Sequence, residues 1–108
     1  MNRRDVLDIN IEQWGIARGI IAHATPLSQA NKTLEEVHEL IDAIKDNDRD
    51  ALMDAIGDIY VTLIMQCSVS GLDIEECIER AYEEIKYRKG TLLEDGTFVK
   101  DEANESGI

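Results

Sequence analysis

The stretch that most limits how this chain can fold is "ALMDAIGDIYVTLIMQCSV", residues 51–69. Its apolar residues recur on almost every side of a helix, which is typical of an element buried all round. The whole chain has only 108 residues, so the other helices of one short domain can hardly cover it. We therefore expect an obligate oligomer, a homodimer or a homotetramer, and most simply a two-fold dimer with this helix near its centre.

The rest of the sequence predicts three more helices and a short hairpin. With residues 51–69 included, apolar residues at helical spacing predict helices over 8–24, 27–45, 51–69 and 74–89. Each is preceded by residues suited to a helix start: Asp8 or Asn10, Thr25 with Pro26, Asp48, and Asp73. Gly90 is suited to ending the last helix, and Asp95-Gly96 between short apolar runs predicts a hairpin. We expect an all-α, four-helix bundle-like domain over residues 1–100 and a flexible tail over 101–108.

Charge and cysteine content narrow the classes of partner. Eleven Lys and Arg against 23 Asp and Glu give a net charge of -12, which repels nucleic acid and anionic membrane surfaces. The start, "MNRRDVLDIN", has no apolar run typical of a signal peptide, and two cysteines are too few for a disulfide framework or a zinc site. We expect a cytoplasmic protein that binds neither nucleic acid nor a membrane.

Two sets of carboxylates lie on the helices predicted over 27–45 and 51–69. Glu35, Glu36 and Glu39 form the run "EEVHE", and Glu36 and Glu39 lie about 60° apart around the helix. Asp54 and Asp58 lie one turn apart within the apolar helix. If the two helices pack as antiparallel neighbours, the two sets face one another. Like charges so close repel, which indicates that a cation lies between them.

Oxygen ligands alone indicate a hard divalent cation, Mg²⁺ first and Mn²⁺ as a possible substitute. The alternative is a solvated acidic helix face, which runs such as "LEEVHEL" often form. Against it, Asp54 and Asp58 lie among apolar residues, and no Lys or Arg occurs between Ala51 and Glu79 to pair with them.

The segments "KTLEEVHEL" and "DAIGDIYVTLI" resemble the MazG-like nucleotide pyrophosphohydrolases of the all-α NTP pyrophosphatase superfamily. That family has Glu-Glu-x-x-Glu on one helix and Glu-x-x-Asp, with Gly before the Asp, on the next. The first part is complete here, and Gly57 and Asp58 match the second. Ala55 occupies the position of the expected Glu, while Asp54 lies one residue earlier. "IEQWGIARGI", "AYEEIKYRKG" and "DGTFVK" extend the resemblance over residues 9–100.

The resemblance implies hydrolysis of a nucleoside triphosphate between its α and β phosphates, which releases a monophosphate and pyrophosphate. It assigns Glu36, Glu39 and Asp58 to Mg²⁺ binding, and we add Asp54 as the substitute for the Glu expected at position 55. It leaves Glu35 as a catalytic base or, alternatively, an outer-shell or solvated residue. The cations that we expect to contact the triphosphate are Lys86, Arg88 and Lys89, with Lys32 and Arg18 as weaker candidates. Alternatively, the first three only complement the helix dipole at the end of the last predicted helix. Trp14, the only tryptophan, is either a stacking surface for the base or part of the core.

A second class of function stays open from the sequence. A non-catalytic acidic helical module, either an adaptor or a DNA-mimicking inhibitor, would use the charge of -12 to bind a basic partner. Such a module displays its acids on the surface, whereas Asp54 and Asp58 are expected to be buried. A Ca²⁺-binding loop of alternating acidic residues with its required Gly is not present in the sequence.

Overall fold

The structure is a computed structural model that describes residues 1–101. It contains helices α1 (Arg3–Ala17), α2 (Ile20–His23), α3 (Pro26–Lys45), α4 (Arg49–Ser70) and α5 (Ile74–Ile85), followed by strands β1 (Gly90–Leu92) and β2 (Phe98–Lys100). The chain forms two compact units, Met1–Ile74 and Glu75–Ile108, and each is described by itself. The predicted helical class is confirmed, with a one-turn helix, α2, in addition to the four predicted helices.

The start of α1 differs from the sequence prediction. Asn2 is the N-cap, and its side chain accepts a hydrogen bond from the Asp5 amide at 2.9 Å. Asp8 and Asn10, predicted as caps, lie inside the helix. The helix predicted over 8–24 is also interrupted at Gly19, whose φ of 80° is accessible to glycine and ends the regular run. The amphipathic pattern continues across this break, which is why spacing alone did not reveal it.

The predicted starts of α3 and α4 are confirmed. Thr25 and Ser28 form a reciprocal capping box, with Pro26 in the first turn. Asp48 accepts a hydrogen bond from the Ala51 amide at 3.0 Å at the start of α4. Between the two helices Asn47 has a φ of 52°, a left-handed conformation that Asn tolerates. This turn reverses the chain direction between α3 and α4.

Side-chain hydrogen bonds fix the directions in which the first unit's helices pack. The Thr33 hydroxyl donates to the Thr62 hydroxyl at 2.8 Å, and Gln66 donates to the Pro26 carbonyl at 2.9 Å. Because residue numbers rise on α3 as they fall on α4, these helices are antiparallel. α1 runs parallel to α4, since Tyr60 donates to Asp8 at 2.8 Å and Ser68 donates to Glu12 at 2.6 Å.

The core of the first unit is small. Its buried apolar residues are Ala43, Ala55, Ile64, Met65 and Cys67. Only part of α4 is buried within one copy of the chain, although its sequence predicts burial on all sides. Met53 and Ile56 are 67% and 57% exposed. Much of the apolar surface of α4 is therefore exposed in one copy of the chain.

Gly15 is buried where α1 crosses the innermost side chain of the core. A methyl group on Gly15 would overlap the Sδ and Cε atoms of Met65, which is 1% exposed and so has little room to move. We expect Gly15→Ala to lower the free energy of unfolding by about 1–3 kcal/mol through overpacking. Gly57→Ala is the matched control, because a methyl group there has nothing within 4 Å and should raise helix stability by up to about 1 kcal/mol. Chemical denaturation of both variants measures the two changes, and equal effects would contradict the packing argument.

By length and composition, α4 is apolar enough to cross a membrane, with a mean hydropathy of 1.3 over its best window. The core helix of a soluble protein passes the same test. α4 packs against α1 and α3 through the hydrogen bonds described above, and Asp54 and Asp58 lie within it. These features favour a core helix.

The second unit contains α5 and an antiparallel hairpin. β1 pairs with β2 in the register Gly90–Lys100, Thr91–Val99 and Leu92–Phe98. The predicted turn at Asp95-Gly96 is confirmed: Gly96 has a φ of 91°, and the Asp95 carboxylate accepts a hydrogen bond from the Thr97 amide at 2.9 Å. The prediction that Gly90 ends the last helix is wrong, because α5 ends at Ile85 and Gly90 begins β1. Of the predicted tail, residues 102–108 lie outside the described residues.

Candidate metal centre

Three carboxylates from α3 and α4 meet in the first unit. Glu36 and Glu39 are nearly one turn apart on α3, and the antiparallel packing places Asp58 of α4 opposite them. One carboxylate oxygen from each residue lies within 4.8 Å of the other two. The sequence prediction that the two acidic sets face one another is thus realised for these three residues.

Glu36 is the least solvated member of this acidic triad. The residue is 8% exposed, and its Oε2 atom is buried with no hydrogen-bond partner among the described residues. Its other oxygen, Oε1, lies 3.6 Å from the Lys32 ammonium. A buried carboxylate oxygen normally has a partner, because its desolvation is otherwise uncompensated. This oxygen is therefore suited to receive a ligand that the polypeptide does not supply.

The electrostatics of the triad lead to the same conclusion. The Glu39 carboxyl raises the pKa of Glu36, because a proton on Glu36 is shared with it, and burial and the negative charge of Glu39 act in the same direction. Burial, followed by the charges of Asp54 and Glu36, raises the pKa of Asp58. The protein alone thus disfavours full ionisation, whereas a divalent cation would favour it. A donor set made only of carboxylate oxygens suits Mg²⁺ or Mn²⁺.

Asp54 lies beside the triad and not within it. The prediction that Asp54 is buried is wrong, because its side chain is exposed at the edge of the site. It is close enough to Asp58 for its charge and a hydrogen bond to raise the pKa of Asp58. Ala55, at the position where the resembling family has Glu, is 3% exposed and belongs to the core. A carboxylate at position 55 would have to replace a core methyl group, so Asp54 is the available fourth acidic residue on α4.

Glu35 and Lys32 form the solvent side of the same α3 surface. The Lys32 ammonium lies 3.7 Å from the Glu35 carboxylate and 3.6 Å from that of Glu36. Glu35 is exposed, and its predicted role as a base stays a prediction. Lys32 places a positive charge next to the triad, where an anionic ligand would meet both the metal and the ammonium group.

Two pockets open beside the triad, and Asp58 and Val61 line both. The smaller, of about 480 Å³, is lined also by Trp14, Gln29, Lys32 and Glu36. The larger is an apolar groove between α1 and α4 of about 1000 Å³, whose lining includes Leu7, Met53, Ile56, Asp54 and Tyr60. The structure thus brings Trp14 and Lys32, two of the predicted substrate-binding residues, to a cavity that touches the triad.

The remaining predicted substrate-binding residue of the first unit, Arg18, is not brought to these pockets. Arg18 is the C-cap of α1 and lines neither of them. Lys86, Arg88 and Lys89 belong to the second unit. There Lys86 pairs with Glu83 at 2.6 Å and lies 5.4 Å from the centre of the Tyr87 ring. The roles of all four residues stay predictions.

Sequence reasoning missed Gln29 as a residue of this site. Gln29 is 6% exposed and lines the smaller pocket. It lies seven residues before Glu36, so two helical turns place both on the same face of α3. A polar residue at that spacing from a predicted ligand was the available signal.

Comparison with known proteins places these observations in a family. The family model of the MazG nucleotide pyrophosphohydrolase domain matches residues 24–92, which include the whole acidic triad. An uncharacterized 18.2 kDa protein from the rep-hol intergenic region of Haemophilus phage HP1 is 34% identical over 64 residues, which are 59% of this chain and 39% of the phage protein. The chain thus spans about two fifths of the length of this relative. No solved structure matches the chain significantly.

Proposed function

The chain belongs to the MazG nucleotide pyrophosphohydrolase domain family, and on that premise we propose that it hydrolyses nucleoside or deoxynucleoside triphosphates to the monophosphate and pyrophosphate with the help of Mg²⁺. Family membership indicates nucleotide pyrophosphohydrolase activity in general. The metal, the triphosphate substrates and the residue roles are our proposal.

The observation that carries the proposal is the orphaned Oε2 atom of Glu36. It is buried, has no hydrogen-bond partner among the described residues, and belongs to a triad whose carboxylate oxygens lie within 4.8 Å of one another. We assign Glu36, Glu39 and Asp58 as the metal ligands, with Asp54 as a fourth ligand or as the partner of Asp58. When bound, Mg²⁺ supplies positive charge to phosphate oxygens and lowers the pKa of water.

The protein's own groups bind and orient the substrate. Lys32 lies next to Glu36 and lines the smaller pocket. When substrate binds, we expect its ammonium group to give up its ion pairs with the glutamates and to pair with a phosphate oxygen. Glu35 is the carboxylate assigned as the base that orients or deprotonates the attacking water. Phosphoryl transfer depends mainly on such positioning and on charge stabilisation. An acidic triad that binds a metal ion, with a lysine beside it, can supply both.

A substrate screen tests the activity directly. The purified protein is incubated with each of the eight common ribo- and deoxyribonucleoside triphosphates, with Mg²⁺, with Mn²⁺ and with EDTA, and pyrophosphate is measured against orthophosphate. We expect pyrophosphate from at least one triphosphate and none with EDTA. Orthophosphate as the sole product would contradict cleavage between the α and β phosphates. No turnover of any triphosphate would favour the non-catalytic acidic module.

We also propose that the protein is a cytoplasmic homo-oligomer, a dimer before a tetramer. The apolar groove between α1 and α4, with Leu7, Met53 and Ile56 exposed along it, supports this proposal. In a two-fold assembly the same face of a second copy would remove these side chains from water.

A further inference from the structure

We propose that Gln29 determines which base the enzyme prefers, by hydrogen-bonding the edge of a base that enters the smaller pocket and stacks on Trp14. This inference rests on the proposed function and deepens it, since it assigns the substrate's base to a defined cavity.

The smaller pocket has the size and lining of a site for a flat heteroaromatic group. Its volume of about 480 Å³ lies within the range of about 300–1,000 Å³ for small-molecule sites. Its walls are largely apolar, with Ile20, Val61 and Met65 among them, and Trp14 lines it while remaining 45% exposed. An indole with a free surface suits stacking on a nucleobase.

The polar groups of this pocket differ in their charge and in whether their hydrogen-bond donors are already used. The Thr62 hydroxyl donates to the Ile59 carbonyl at 2.7 Å and accepts from Thr33 at 2.8 Å, so its donor is committed. Lys32, Glu36 and Asp58 are charged and belong to the metal end. Gln29 contributes a neutral amide with two donors and an acceptor, and the residue is 6% exposed.

This arrangement gives the cavity two chemically different ends. Glu36 and Asp58 belong to both the pocket and the triad, and Lys32 is paired with Glu36. A triphosphate held by Mg²⁺ and Lys32 therefore has its nucleoside portion directed along the pocket. There the base edge meets the Gln29 amide, for which the structure gives no side-chain hydrogen bond among the described residues. A base with the wrong pattern of donors and acceptors leaves that amide unpaired, which is the basis of discrimination.

The test uses Trp14 as a reporter, since it is the only tryptophan of the chain. The probes are the α,β-imido triphosphate analogues of adenosine, cytidine, guanosine and uridine, and inorganic tripolyphosphate, which has no base. Each is titrated into the full chain with Mg²⁺, with calorimetry for Kd and Trp14 fluorescence for pocket occupancy. We expect the four analogues to bind with different Kd values and to quench Trp14, and tripolyphosphate to bind without quenching it.

The decisive variant is Gln29→Met, which keeps the length of the side chain and removes its hydrogen bonds. We expect the preferred analogue to bind about tenfold more weakly, so that the four Kd values converge, while tripolyphosphate changes by less than about twofold. Gln13→Met on the exposed surface of α1 is the matched control and should change neither. Thermal melts confirm that both variants are folded.

The inference would be overturned by equal binding of the four analogues by the wild type, by no quenching of Trp14 by any of them, or by unchanged differences among the four Kd values in Gln29→Met. Each is distinguishable from failure of the proposed function, which appears as an absence of pyrophosphate release in the substrate screen. A Gln29→Met variant that weakens tripolyphosphate as much as the analogues would also overturn it, because Gln29 would then act on the metal end and not on the base.

Discussion

Asp58→Asn is expected to reduce Mg²⁺-dependent pyrophosphate release by about 100- to 1,000-fold or more, a loss of the size produced by removing one group that stabilises charge in a transition state. Asp58 is the member of the triad that α4 contributes, so its amide replacement leaves the two glutamates of α3 without an anionic partner across the site. The fold should be retained, because Asn has almost the same shape.

The same substitution should make the metal-free protein more stable. Since the pKa of Asp58 is raised by burial and by neighbouring carboxylates, the folded wild type holds this proton more tightly than the unfolded chain does. Its free energy of unfolding therefore falls as pH rises from the ordinary pKa through the raised one. Asn has no such proton, so the stability difference between variant and wild type grows over that window and is constant above it.

Thermal melts with and without Mg²⁺, at several pH values, measure both effects. Mg²⁺ should raise the Tm of the wild type, by an amount corresponding to about 2.7 kcal/mol at a hundred times Kd, and should raise that of Asp58→Asn much less. Asp46→Asn is the matched control, since this exposed residue caps the far end of α3. An equal Mg²⁺ shift in wild type and Asp58→Asn would place the metal elsewhere.

The acidic triad could be predicted from sequence because it depends on two regular geometries. Helical spacing places Glu36 and Glu39 on nearly the same face, and a short turn makes the next helix antiparallel. The turn itself is readable, because Asp48 is a strong N-cap residue. The family resemblance, confirmed by the match over residues 24–92, added nucleotide pyrophosphohydrolase activity in general.

Features that depend on packing between helices could not be predicted from the sequence. The start of α1 is a separate, local case, because Asn2, Asp8 and Asn10 are all suited to an N-cap and the apolar spacing does not distinguish them. The position of Gln29 in the wall of a pocket is evident only from the structure, because residues of α1, α3 and α4 together form that pocket. The placement of Gly15 against Met65 likewise follows from three-dimensional contact. Local rules assign helices and caps, whereas cavities arise from contacts between residues distant in sequence.

Ile56→Glu is expected to convert the proposed dimer into a folded monomer. Ile56 is 57% exposed in a single copy and lines the apolar groove between α1 and α4, so a charge there costs little in the monomer. In a dimer it would be desolvated without a partner, at a cost of several kcal/mol for each copy. Two such charges at a two-fold interface are enough to raise a micromolar or lower Kd above the protein concentration of the experiment, so that the dimer dissociates.

Analytical ultracentrifugation measures the oligomeric state of wild type and variant at about 10 μM, a concentration at which a dimer with a micromolar or lower Kd is mostly associated. Circular dichroism confirms that the helices persist. Leu27→Glu is the matched control, because Leu27 is 72% exposed and does not line the groove. It lies in the first turn of α3, where a Glu interacts favourably with the helix dipole. The control should sediment as the wild type does. A wild type that sediments as a compact monomer would show that the apolar surface of α4 is stable in water, which would contradict the proposed oligomer.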